Sequence, residues 1–114
     1  MENITYNELI IRGYNVDVGI IDHAVLNKSQ KQQIVRLEVD FVCNKGSRRY
    51  YIQSAFSIPD EEKLKQETSS LDRIGDSFKK TIVTRDLGKP WHTEKGYLVI
   101  NIIDFLLNPD SMDL

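Results

Sequence analysis

The sequence predicts an α/β fold: a mixed sheet with helices packed against its faces. Three observations carry this. A helical pattern opens the chain. Three strand-like runs then follow one another across short polar turns, as in a meander. A second helix precedes two further strand-like runs and a short closing helix, so the chain must cross over to rejoin its sheet.

The opening helix is expected over residues 2–12, where Glu2, Tyr6 and Leu9 share one face and Ile4 and Ile11 lie on a neighbouring stripe. Gly13 is its stop, because glycine enters the left-handed region at little cost. Residues 14–21 alternate Val16, Val18 and Ile20 against Asn15, Asp17 and Gly19, which is a strand with one polar face. Residues 27–32 are polar and form the tip of a hairpin. The returning strand, residues 33–43, places Leu37, Val39, Phe41 and Cys43 on one face and Glu38, Asp40 and Val42 on the other. A turn centred on Gly46 leads to a third strand over residues 48–56, rich in the aromatics that pleated surfaces favour.

The second helix runs from Pro59 to about Ile74. Proline suits its first turn, Asp60-Glu61-Glu62 suits the positive end of its dipole, and Leu64, Leu71 and Ile74 mark the buried face. Residues 80–84 form a short buried strand, and Lys79-Lys80 a solvated turn. Residues 88–92, with Trp91 and His92, form a loop. Residues 97–102 are a last strand, 103–107 a closing helix, and 108–114 a polar, frayed tail.

The 114 residues suffice for one domain with one sizeable core. Apolar residues make up 40% and charged residues 28%, as in a soluble globular protein. The net charge of −2 shows none of the basic excess of a stand-alone duplex-binding domain. The lone Cys43 excludes an intrachain disulfide and suits a reducing cytoplasm. No apolar run approaches the roughly 18 residues of a membrane helix, so no membrane partner is expected. Met1-Glu2-Asn3-Ile4 enters the helix with little room for a cap, which reads as a segment of a longer protein.

Several short motifs stand in a fixed order: Glu2-Asn3-Ile4 with Asn7-Glu8-Leu9; Arg12-Gly13-Tyr14 with Val16 and Val18-Gly19; Glu38-Val39-Asp40-Phe41-Val42; Tyr51-Ile52-Gln53; Ile74 and Asp76 with Lys80; and Ile103-Asp104-Phe105-Leu106-Leu107. Together they resemble the C-terminal domain of predicted bacterial and archaeal ATPases of the AAA+ superfamily. In that family a P-loop ATPase module precedes a domain of unknown function with a restriction-endonuclease-like fold. The resemblance implies a three-layer α/β/α domain with a mixed sheet in the order α-β-β-β-α-β-β-α. It would occupy residues 1–107 of this chain, with 108–114 as the tail. ATP and its Mg²⁺ would belong to a module upstream of Met1, since this chain has no G-x-x-x-x-G-K-S/T motif.

The resemblance also implies a site. Active members of the fold build a metal centre from a helix acid, a strand Asp and a Glu-x-Lys on the next strand. Hard carboxylate oxygens hold Mg²⁺, and the metal activates water and offsets phosphate charge. Glu2 matches the helix acid and Asp40 the strand acid, so these two are the residues that would hold Mg²⁺ weakly. Gln53 stands in place of the glutamate and Ala55 in place of the lysine. Alanine has no proton or charge to offer, and glutamine offers oxygen without charge. The implied domain is therefore a degenerate nuclease, an accessory unit for recognition or assembly with a protein or nucleic-acid partner. The rivals are an active Mg²⁺-dependent nuclease using Asp40, Glu2 and Glu38, and a purely structural interaction domain.

Each residue has a plainer reading. Glu2 suits a helix start by charge alone. Asp40 is equally a structural hydrogen-bond acceptor, and Gln53 a satisfied amide in the sheet. Glu38 is solvated by default. His23 and His92 show no zinc spacing, and Cys43 reads as a core thiol. Arg48-Arg49-Tyr50-Tyr51 mixes basic and aromatic residues as phosphate and base binders do, but alternation divides it between two faces, as on an exposed edge.

Overall fold

A computed structural model describes residues 1–26 and 28–114, the side chains of residues 20–26 and 34–37 excepted. Asn27 of the expected hairpin tip, and the side chains of Ile20, His23 and Leu37, lie outside the described residues. The elements in chain order are α1 (Glu2–Ile11), β1 (Asn15–Leu26), β2 (Gln32–Lys45), β3 (Arg48–Ala55), α2 (Glu61–Arg73), β4 (Lys79–Thr84), β5 (Trp91–His92), β6 (Leu98–Asn101), α3 (Ile102–Leu107) and a 3-10 turn (Ser111–Asp113).

They form an α/β fold around a six-stranded sheet of order β1-β2-β3-β4-β6-β5. The meander β1–β2–β3 is antiparallel, while β3–β4 and β4–β6 are parallel, so the sheet is mixed as expected. The parallel pairs follow from α2 and the segment after β4, crossovers that let each next strand run in the same direction as the one before it. Leu9 of α1 and Phe105 of α3 pack with Phe41, Cys43, Tyr50 and Ile100 on one face of the sheet. Leu71 of α2 packs with Val39, Tyr51, Ala55 and Ile82 on the other. Helices thus cover both faces.

Local chemistry sets the boundaries. Asp60 caps α2, its side chain accepting from the Lys63 amide at 2.8 Å. Asn101 caps α3 in the same way through the Asp104 amide. Gly13 takes φ +88 at the end of α1, as the sequence requires.

Several expectations are corrected. In α1, Thr5 and Leu9 are buried, whereas Tyr6, on the face read with Leu9, and Ile4 and Ile11 of the neighbouring stripe are exposed. Trp91 and His92 are not loop but a short edge strand paired with β6. Lys80 is not a solvated turn. It is buried in β4, where its Nζ donates to the Asp76 and Phe78 carbonyls at 2.9 Å each and pairs with the Asp76 carboxylate. Tyr50 and Tyr51 do fall on opposite faces, but β3 is an interior strand and both rings are buried. The tail is not frayed: Ser111 and Met112 are buried, and Arg12 holds that end down. Its guanidinium donates to the Phe105 carbonyl, the Asn108 carbonyl (3.0 Å) and Ser111 Oγ (2.9 Å). Cys43 is a fully buried core thiol, pushed up to about 12 by burial.

The strict alternation expected for β2 also fails. Val18 pairs with Phe41, but the next residue, Gly19, pairs with Val39. Asp40 is the extra residue of a β-bulge. The bulge reverses the parity of β2, so Val39 joins the α2 face while Phe41 and Cys43 face α1 and α3.

Candidate functional site

The bulge has a local cause. A Cβ on Gly19 would lie 2.2 Å from Val39 Cγ2 and 2.8 Å from the Val39 carbonyl oxygen. Only glycine lets β1 approach β2 so closely there. The β2–β3 ladder ends just beside it, at the pair Phe41–Ile52. Two strands that part inside a sheet leave backbone groups without ladder partners. Side chains supply them. The Asp40 amide donates to Gln53 Oε1 at 3.0 Å, and the Ser54 amide donates to Asp40 Oδ2 at 2.6 Å.

Glu2 reaches the same place from α1. An open cavity of about 500 Å³ is lined by Glu2, Glu38, Asp40, Gln53 and Ser70 among others. The structure therefore brings together Glu2, Asp40 and Gln53, and adds Glu38. It does not bring in Ala55, which is 3% exposed and packed with Val39 and Leu71 in the α2 core. Gln53 and Ala55 share strand parity, as expected, but only the first borders open space.

The cavity is electrostatically crowded. Burial pushes the Asp40 carboxyl above its ordinary range, and the charges of Glu2 and Glu67 push the same way. The Ser54 amide opposes them. Glu67, on α2, was not singled out by sequence reasoning. It is one of several charged residues on that helix, ion-paired to Lys63 at 2.9 Å. The available signal was its i, i+3 relation to Ser70, which also borders the cavity.

A divalent cation needs several oxygens aimed at one point. Among the described residues, no group of three or more His, Cys, Asp or Glu side chains is placed to hold a metal ion. Two of the matching positions already commit oxygens to backbone amides. The residues present do not fit a closed Mg²⁺ site. His92 is exposed, with Nε2 3.3 Å from the Leu114 carbonyl oxygen.

No family model matches this chain. A Haemophilus influenzae protein described only as uncharacterized is 36% identical over 109 residues, which are 94% of this chain and 22% of that relative. The chain thus spans about a fifth of the length of the relative it matches. Among the described residues, no helix is long and apolar enough to cross a membrane.

Proposed function

We propose that this chain is a non-catalytic, degenerate restriction-endonuclease-like domain, an accessory unit of a cytoplasmic AAA+ ATP-binding protein. It serves recognition or assembly. The observation that carries this reading is that, across the split between β2 and β3, Gln53 Oε1 accepts from the Asp40 amide and Asp40 Oδ2 accepts from the Ser54 amide. A nuclease of this fold would aim both side chains at a metal, whereas here each satisfies backbone. Ala55 in the apolar core supplies no lysine. A similar stretch forms 22% of a longer relative, which suits an accessory unit. The net charge of −2 favours a protein partner over strong binding to nucleic acid.

The test is a thermal melt with millimolar Mg²⁺ or Mn²⁺, beside a plasmid-cleavage assay. Neither stabilisation nor cleavage is expected. Cleavage that disappears in Asp40→Ala would establish the rival, an active nuclease using Asp40, Glu2 and Glu38. Gln53→Glu probes the fold assignment separately: a carboxylate there should make Mg²⁺ stabilising where it was not before. Adding Ala55→Lys would not help, because its buried site would be overpacked.

A further inference from the structure

The Arg48-Arg49-Tyr50-Tyr51 run is divided between the two faces of the sheet. Tyr51 packs on the α2 face and Tyr50 on the other. Arg49, two residues before Tyr51, therefore shares the α2 face. The last turn of α2 supplies a second guanidinium there, Arg73. Both arginines line one open cavity of about 480 Å³, with Val42, Asn44 and Tyr51 on its sheet side. It is distinct from the Asp40 cavity, since only Val18 borders both.

Arg49 is held from two sides. Its Nε donates to Asn44 Oδ1 at 2.9 Å, and its Cζ lies 5.8 Å from the centre of the Phe78 ring. Among the described residues, neither Arg49 nor Arg73 is ion-paired with a carboxylate. Asp76 borders the cavity but is already engaged. Its Oδ2 accepts from the Tyr51 hydroxyl at 2.6 Å, and its Oδ1 accepts from the Phe78 amide at 3.1 Å and pairs with Lys80 at 3.4 Å. Arg49, Arg73 and Lys80 against Asp17 and Asp76 leave one positive charge in excess. That excess suits an anion, and the two guanidiniums narrow its class. A carboxylate has two oxygens, which one guanidinium fork occupies. Two forks on one cavity suit a group with more oxygens, arranged tetrahedrally, as in a phosphoryl group. A nucleic-acid backbone needs a continuous track of cations. Here Asp17 stands on the β1 wall, and the adjoining cavity holds Glu2, Glu38 and Asp40. The surroundings therefore favour one phosphate on a small molecule, and the cavity has the volume for one.

We infer that this cavity binds the phosphate group of a small phosphomonoester through the Arg49 and Arg73 guanidiniums. Asn44 and Phe78 hold Arg49 ready for it, so little side-chain freedom is lost on binding there. This inference does not depend on the role proposed for the Asp40 cavity.

Isothermal titration of the full chain with phenyl phosphate tests it, beside sodium acetate at equal ionic strength. Phenyl phosphate should saturate one site per chain, and acetate should bind far more weakly. Arg49→Lys and Arg73→Lys, made separately, keep the charge but remove the fork, and each should weaken binding by about tenfold or more. Both arginines are exposed, so circular dichroism should be unchanged. Arg48→Lys, on the opposite face of β3, should bind as wild type does. The inference is overturned if phenyl phosphate does not bind, if acetate binds equally well, or if binding survives both lysine variants. A single-stranded oligonucleotide without a terminal phosphate that binds more tightly than phenyl phosphate, with an affinity falling steeply as salt rises, would also overturn it in favour of a polymer site.

Discussion

Gly19→Ala is the sharpest probe of how the Asp40 site is built. The substitution adds one methyl group where β1 meets the bulge. Gly19 does not sit in the left-handed region, so backbone conformation does not forbid alanine. On that ground alone the change would stabilise, by about 0.4–1 kcal/mol, through a less flexible unfolded chain. Space decides otherwise. The new Cβ would fall 2.2 Å from Val39 Cγ2 and 2.8 Å from the Val39 carbonyl oxygen. A rotamer change could relieve the first contact, but the second is backbone, so β2 itself must move. Overpacking of this kind costs about 1–3 kcal/mol, and two contacts at once place it near the upper end. The net loss expected is about 2 kcal/mol, or a fall of about 8 °C in Tm for a domain of this size. Differential scanning calorimetry measures it. The Ser54 amide should also exchange faster with deuterium, because its acceptor sits on the displaced residue. Gly75→Ala is the control: nothing lies within 4 Å of a Cβ there, so its Tm should hold or rise. An unchanged or higher Tm for Gly19→Ala would refute the account of the bulge.

Asp40→Asn should flatten part of the stability–pH profile. Burial and the nearby Glu2 and Glu67 raise the native Asp40 carboxyl above its unfolded value. Between those two values the native chain holds a proton that the unfolded chain has lost, so stability falls as pH rises through the window and stays lower above it. Asparagine keeps an oxygen for the Ser54 amide and removes the charge. The variant should be at least as stable as wild type at pH 7 in urea titrations, and a clear loss there would count against this electrostatic reading. Arg12→Met should cost about 3 kcal/mol, because the buried guanidinium serves the Phe105 and Asn108 carbonyls and Ser111 together. Hydrogen exchange should then rise across residues 108–113, and an unaltered tail would show that Arg12 is not what holds it.

Much of the fold was legible because it rests on local signals. The apolar runs of β4 and β6, the acidic start of α2 at Glu61 and Glu62 and the left-handed Gly13 are each written within a few residues. What escaped depends on partners distant in sequence. Lys80 looks like surface until the carbonyls of Asp76 and Phe78 close around its ammonium. The tail looks frayed because Arg12, its anchor, lies at the other end of the chain. The bulge was hidden for a different reason. Residues 37–43 alternate cleanly as written, and only the approach of Gly19 from β1 shows that Asp40 stands outside the alternation.

That same displacement explains why the Asp40 position is ambiguous by type alone. Ser54 needs an acceptor once β3 leaves β2, and an asparagine would supply one without charge. The chain uses an aspartate, with Glu2, Glu38 and Gln53 around the same open space and Glu67 near enough to add its charge. The hydrogen bond accounts for an oxygen at this position but not for the surrounding negative charge, which makes the carboxylate harder to ionise. The proposed descent from a metal-binding scaffold accounts for both. On that proposal a cation would once have balanced the acids, and the bond between Asp40 and Ser54 bridges the parted strands. The metal melt and the Asp40→Asn titration divide these contributions, since the first reads what the charges can still bind and the second what they cost.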